Sequence, residues 1–101
     1  MSMAEFLVHI SVRRPEGVDD DSWRATLADE ARMGMNYRRS GVIVRIWRLP
    51  GTTSNVGLWM ASDATELHTL LSELPAFPYM TIRVDPLAQH YLEESTSESI
   101  P

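Results

Sequence analysis

Alternating apolar and polar positions predict four β-strands. From Phe6 to Val12 the even positions form one apolar face, and the odd positions, which include His9, form the other. Segments 42–49 and 55–61 also have strand character and are joined by a Pro-Gly loop. A last short strand is predicted over 80–84, again with one apolar parity.

Helical spacing and capping residues predict two helices. An acidic cluster at 19–21 precedes a segment with helical periodicity from about 23 to 40, and Gly41 is placed to end it. A second helix is predicted to begin within 62–66, where Asp63 and Glu66 have capping-box spacing, and to end before Pro75. The order βαββαβ predicts an α+β, ferredoxin-like domain: an antiparallel sheet with two helices on one face.

Composition fits one small domain. The chain has 101 residues with a net charge of −5, which argues against nucleic-acid binding. No apolar run approaches the ~20 residues that span a bilayer, and no secretory signal is recognisable, so we expect a cytoplasmic protein without a membrane partner. We expect residues 1–90 to form the domain and the polar segment 91–101 to be a flexible tail.

The sequence excludes several kinds of site. There are no cysteines, hence no disulfides and no thiolate ligands or nucleophiles. His9, His68 and His90 lack metal-site spacing, and no nucleophile or phosphate-loop motif is present. The chemistry that remains is proton transfer with electrostatic stabilisation, which needs neither metal nor cofactor.

Parity predicts two unlike sheet faces. We expect the apolar parity to pack under the helices; it comprises the even positions of strand one with Val42, Val44, Ile46, Val56, Leu58, Met60, Met80, Ile82 and Val84. The other face should carry aromatic and hydrogen-bonding residues: His9, Ile43, Arg45, Trp47, Asn55, Gly57, Trp59, Thr81 and Arg83. Such a mixture is typical of a pocket or of an inter-subunit surface. Three Trp and six Met also favour a chain that buries area against copies of itself.

One carboxylate stands out on the first helix. Glu30 lies on the stripe formed by Trp23, Leu27, Gly34 and Tyr37, which should face the sheet. A carboxylate there is either paired, for example with Arg45, or held with a raised pKa. A raised pKa suits a proton-transferring base, so both interpretations stay open.

Four segments resemble the muconolactone Δ-isomerase family. The most specific is Leu-Pro-Ala-Phe-Pro-Tyr-Met at 74–80, and Ala-Asp-Glu at 28–30 matches in the first helix. Further matches are the segments 45–51 and 64–68, with Asn55 and His90. The similarity covers about residues 6 to 90.

The resemblance implies a ferredoxin-like protomer that pairs sheets into a dimeric α+β barrel, with dimers assembled into a ring-like decamer. It implies a cofactor-free 1,3-proton shift that moves a double bond in an unsaturated lactone, within aromatic-compound catabolism. Glu30 is then the expected proton shuttle, with His9 as a second catalytic candidate. Arg45 or Arg48 would bind the substrate's carboxylate and Asn55 or Tyr79 would donate to the oxyanion, while Trp47 and Trp59 complete the expected binding set.

Some positions depart from the family pattern. Lysines that are usual there are replaced by Leu27, Ala31 and His9, and a commonly acidic position is Met60. A less cationic pocket suits a relative recruited to specialised metabolism that isomerises or cyclises an aromatic or polyketide intermediate. A non-catalytic oligomeric binding protein is the third hypothesis.

Overall fold

The strands and helices follow the expected order. The computed structural model describes residues 3–93. Its elements are β1 (Ala4–Val12), α1 (Asp20–Ser40), β2 (Ile43–Arg48), β3 (Asn55–Ala61), α2 (Ala64–Ser72) and β4 (Met80–Leu87). The last strand runs past its predicted end at Val84. The tail predicted for 91–101 lies outside the described residues from position 94 onward.

The four strands form one antiparallel sheet in the order β2-β3-β1-β4. Both helices pack on the same face, where Tyr37 of α1 and Leu67 and Leu71 of α2 join the core around Phe6 and Trp59. The predicted α+β, ferredoxin-like fold is confirmed. Neither helix in the described part of the chain is both long and apolar enough to cross a bilayer.

Local capping fixes α1 in place. The Asp19 side chain accepts a hydrogen bond from the Ser22 amide, so the helix begins at Asp20, before the predicted Trp23. At the other end Gly41 adopts a left-handed φ of 87° and donates its N–H to Arg38, as expected of a C-terminal glycine. The helix therefore presents the stripe that contains Glu30 to the sheet.

The predicted facing of β3 is wrong. Ile10 pairs with Asn55 and Phe6 pairs with Trp59, and paired residues share a face, so Asn55, Gly57 and Trp59 lie under the helices. Val56, Leu58 and Met60 lie on the opposite face, which we call the open face. Both sets of alternating positions in β3 contain apolar residues, so the pattern along the strand does not show which set faces the helices. The pairing of β3 with β1 does.

A bulge corrects the prediction for β2 as well. The register shifts between Ile43 and Arg45, so Ile43 is buried in the core and Ile46 also lies on the helix side. Arg45 and Trp47 lie on the open face, as predicted. Thr81 and Arg83 of β4, which pair with Ser11 and His9, are there too.

Candidate active site

A cavity of about 100 Å³ lies between α1 and the helix-covered face of the sheet. Most of its wall is apolar, with Ile10 and Met80 among the lining side chains. Three lining residues carry polar atoms: Glu30 from α1, and Asn55 and Trp59 from β3. We call this space the inner cavity.

Glu30 is half-buried and is held by one oxygen. Its Oε1 accepts a hydrogen bond of 2.9 Å from the backbone N–H of Ala76, in the turn before β4. Burial raises the pKa of the Glu30 carboxyl above its ordinary value, and the Ala76 hydrogen bond only partly opposes this. Among the described residues, the hydrogen bonds of this carboxylate are confined to Oε1.

The alternative that Glu30 pairs with Arg45 is wrong. Arg45 lies opposite Leu58 in the register and therefore faces away from α1. Its guanidinium lies 5.0 Å from the ring centre of Trp47. Glu30 is thus a desolvated carboxylate beside the inner cavity without a cationic partner in the described chain.

Two other polar atoms of this region lack a partner. Within residues 3–93, Asn55 Oδ1 and Trp59 Nε1 are the buried side-chain atoms without any hydrogen bond. A buried polar group left unpaired costs about 1–3 kcal/mol, so such groups are rare in folded proteins. One acceptor and one donor left open beside a cavity indicate a place for a polar ligand.

A second space opens next to the inner cavity. This outer cavity, of about 330 Å³, is lined by Trp23, Leu27 and Arg48, and it shares Val12 and Asn55 with the inner one. The Arg48 guanidinium donates to the carbonyl oxygens of Thr53 and Ser54 in the β2–β3 loop, which fixes its position. A guanidinium retains further N–H donors for a carboxylate beyond these two contacts.

Tyr79 packs against Trp23, a residue that lines the outer cavity. Its ring meets Trp23 edge-on with centres 5.6 Å apart, and the side chain lines neither cavity. The structure therefore does not bring Tyr79 to the open polar atoms.

His9, Arg45 and Trp47 lie on the open face. His9 Nε2 is 2.9 Å from Arg83 Nη2 and 3.3 Å from Asp85 Oδ2, so its neighbours are on β4. The sheet lies between this group and Glu30, and within one chain the three residues are not part of the site around Glu30. Within one protomer the structure does not bring together Glu30 and His9, the two catalytic candidates expected from the sequence.

Sequence reasoning missed two features of the site. The backbone N–H of Ala76 donates a hydrogen bond to Glu30, and the backbone of Gly57 lies against the indole of Trp59. Ala76 lies inside the family motif at 74–80, so the motif marked this segment although not the hydrogen bond of its backbone. Nothing in the pattern marked Gly57, because its parity had been assigned to the other face.

The arrangement suits proton transfer next to a carbonyl group. An ionised carboxylate in an apolar cavity is a stronger base than one in water, because its pKa is raised. A hydrogen-bond donor held in a fixed position near such a carboxylate can stabilise the oxyanion that forms when a substrate loses its proton. The described residues contain no cluster of three His, Asp or Glu side chains that could hold a metal.

The comparison with protein families decides the relationship. The family described as muconolactone delta-isomerase matches residues 4–93 of the chain. The chain belongs to the muconolactone Δ-isomerase family. The match extends through both cavities and all four strands.

Named relatives agree with this assignment. The muconolactone Δ-isomerase of Rhodococcus opacus is 39% identical over 88 residues, which cover 87% of this chain and 95% of the relative. That of Pseudomonas aeruginosa is 33% identical, with 84% and 88% covered. A crystal structure of muconolactone isomerase superimposes with a TM-score of 0.79 at 32% identity, covering 85% of this chain and 90% of that one. The family, the fold and the isomerase class expected from the sequence are confirmed.

Proposed function

We propose that this protein is a muconolactone Δ-isomerase that uses Glu30 as its proton carrier. The observation that carries the assignment of the site is the half-buried Glu30 carboxylate, which faces an apolar cavity with an unpaired donor and an unpaired acceptor. The relatives bear the name of this reaction. No finding favours the specialised-metabolism or the non-catalytic hypothesis.

The reaction balances without a further reactant. Ionised Glu30 removes a proton from one ring carbon of the lactone, and the electron pair enters the conjugated carbonyl system as a dienolate. The proton then returns from Glu30 to the carbon two positions away, which moves the double bond and regenerates the carboxylate. The raised pKa of Glu30 strengthens its carboxylate as the base of the first step, and the carboxylic acid so formed donates the proton in the second.

The two cavities divide the substrate between them. The inner cavity, beside Glu30, takes the reacting ring. The outer cavity takes the acetate arm, whose carboxylate binds Arg48 in a charge-assisted hydrogen bond. Asn55 lines both spaces, and its side-chain amide contacts the substrate at the junction.

The open face is the surface on which two protomers pair. Trp47 is 42% exposed there, next to Val56, Leu58 and Met60. An apolar sheet face that no helix of the described residues covers is typical of an interface. A homodimer is therefore proposed, with a decamer as the larger assembly implied by the resemblance; the cytoplasmic location stays a prediction.

Sedimentation tests the assembly. The protein should sediment as a dimer or larger at micromolar concentration, and Leu58→Arg should shift it to the monomer because a charge then lies in the middle of the interface. Met35→Arg is the matched control, since Met35 is 52% exposed on α1. A wild-type monomer at these concentrations would refute the proposed interface.

The activity is tested with muconolactone in deuterated buffer, followed by ultraviolet absorbance and NMR. Conversion to the enol-lactone at an enzymatic rate is the expected result. A folded protein that neither converts the lactone nor exchanges its ring proton for deuterium would contradict the proposed function.

A further inference from the structure

We propose that the indole N–H of Trp59 is the hydrogen-bond donor to the dienolate oxygen, and that Gly57 is the positioning residue that aims it. This inference rests on the proposed function. It starts from the unpaired Nε1 of a tryptophan that is only 1% exposed and lines the inner cavity.

The Trp59 ring is held from the helix side. Tyr37 of α1 meets it edge-on, with ring centres 5.6 Å apart and an interplanar angle of 76°. The Tyr37 hydroxyl in turn donates a 2.7 Å hydrogen bond to the carbonyl of Leu70 in α2. The indole therefore has a fixed orientation before any substrate arrives.

Gly57 makes this orientation sterically possible. A Cβ atom at position 57 would lie 3.0 Å from Trp59 Nε1 and 3.3 Å from the carbonyl oxygen of Arg45. Trp59 Nε1 thus lies against the Gly57 backbone, on the face of β3 that also carries Asn55. A methyl group at position 57 would require the Trp59 indole to shift by a few tenths of an ångström, because the Arg45 carbonyl belongs to the sheet backbone and cannot yield.

The chemistry of the group fits the role. An indole Nε1 only donates hydrogen bonds, so Trp59 cannot compete with Glu30 for the proton. Its N–H is preorganised in an apolar space, where a donor stabilises a developing oxyanion most strongly. The missing partner of Nε1 is then the substrate oxygen that gains charge in the transition state.

A double-mutant cycle separates positioning from packing. Trp59→Phe should lower kcat about 100-fold with little change in KM, the usual effect of removing one oxyanion donor. Gly57→Ala alone should lower kcat about tenfold, because the N–H is displaced. In the Trp59→Phe background the same alanine should cost less than about twofold. An equal loss from Gly57→Ala in both backgrounds would show that it acts through packing alone and would overturn the positioning role.

A measurement on the wild-type protein does not depend on those variants folding. The three indole N–H signals in a ¹H–¹⁵N NMR spectrum can be assigned with Trp23→Phe and Trp47→Phe proteins. Tetronate, a five-membered lactone that is an enolate anion near neutral pH, is the probe. Saturation with tetronate should move the Trp59 indole proton downfield, and an unmoved signal would refute the donor assignment.

The two tests keep this inference apart from the proposed function. If muconolactone is not turned over but tetronate shifts the Trp59 signal, the donor assignment stands and the substrate assignment fails. If muconolactone is turned over and Trp59→Phe keeps the wild-type kcat, the isomerase assignment stands and the Trp59 donor is refuted.

Discussion

Both faces of the sheet carry polar side chains, but the two sets differ in whether those side chains have hydrogen-bond partners. On the helix-covered face Glu30, Asn55 and Trp59 each have polar capacity without a partner in the described chain. On the open face the polar groups satisfy one another, as His9 does with Arg83 and Asp85. The difference teaches that unmet hydrogen bonding, and not the presence of a histidine or arginine, marks the ligand site.

The apolar content of the two faces supports the same division. The helix-covered face is closed by α1 and α2 and leaves only the cavities beside Glu30. The open face carries the apolar side chains of Val56, Leu58 and Trp47, with His9, Arg83 and Asp85 towards β4 and Arg45 on β2. This division fits the proposal that the helix-covered face binds a small molecule and the open face a second protomer.

The largest effect is expected at Glu30. Glu30→Gln should lower kcat by about 10³- to 10⁴-fold, because the glutamine cannot accept the proton. Its amide oxygen can still accept the hydrogen bond from Ala76, so the fold and the oligomer should be retained. Steady-state absorbance with muconolactone gives kcat, while circular dichroism and sedimentation check the structure; an unchanged kcat would refute the role of Glu30.

The two arginines should respond differently. Arg48→Gln should raise KM for muconolactone about 10- to 100-fold with a smaller change in kcat, since a hydrogen bond between charged groups is lost. Arg45→Gln is the matched variant on the open face and should change KM much less. A larger KM effect at Arg45 than at Arg48 would show that the substrate's carboxylate binds on the open face, and would contradict its binding to Arg48.

The pH dependence should show the burial of Glu30. Its pKa is raised above the ordinary value of 4.5, so kcat/KM should fall with acid around a midpoint above 4.5. A carboxyl with a raised folded-state pKa favours folding below its unfolded pKa, and that contribution is lost as the pH rises through the folded value. Glu30→Gln should therefore raise the melting temperature at pH 7 and leave it nearly unchanged at pH 4. The reverse order of melting temperatures at pH 7 would contradict the desolvated carboxylate.

The smallest effect is expected at His9. His9→Gln should leave kcat within about twofold, because the side chain lies across the sheet from the inner cavity and contacts Arg83 and Asp85. Steady-state kinetics of the purified protein with muconolactone measures this directly. A loss comparable to that of Glu30→Gln would show that the open face takes part in the chemistry.

Most of the fold was predictable from the sequence, because strand alternation, the Asp19 cap and the Gly41 stop are local signals. Glu30 was predictable as well, since a carboxylate on an apolar helical stripe conflicts with its surroundings. The faces of β3 were not, because Asn55, Gly57 and Trp59 look less apolar than Val56 and Leu58. Their orientation depends on pairing with β1, which is a long-range contact.

The site depended on such contacts too. The bond from Ala76 to Glu30 joins residues 46 positions apart. The Trp59 indole can lie this close to the strand only because position 57 is a glycine, which becomes its neighbour once the sheet has formed. A pattern read along the chain names the residue types, but tertiary packing decides which polar atoms remain without partners.

The most direct test of the Glu30 site is proton exchange on muconolactone in deuterated buffer, followed by NMR for wild type, Glu30→Gln and His9→Gln side by side. Isomerised product and deuterium incorporation both report removal of the ring proton, because Glu30 either returns the same proton or first exchanges it with solvent. We expect wild type and His9→Gln to isomerise the lactone and Glu30→Gln to give neither product nor deuterium incorporation. Exchange at the wild-type rate in Glu30→Gln, or its loss in His9→Gln alone, would contradict the assignment of the chemistry to the helix-covered face.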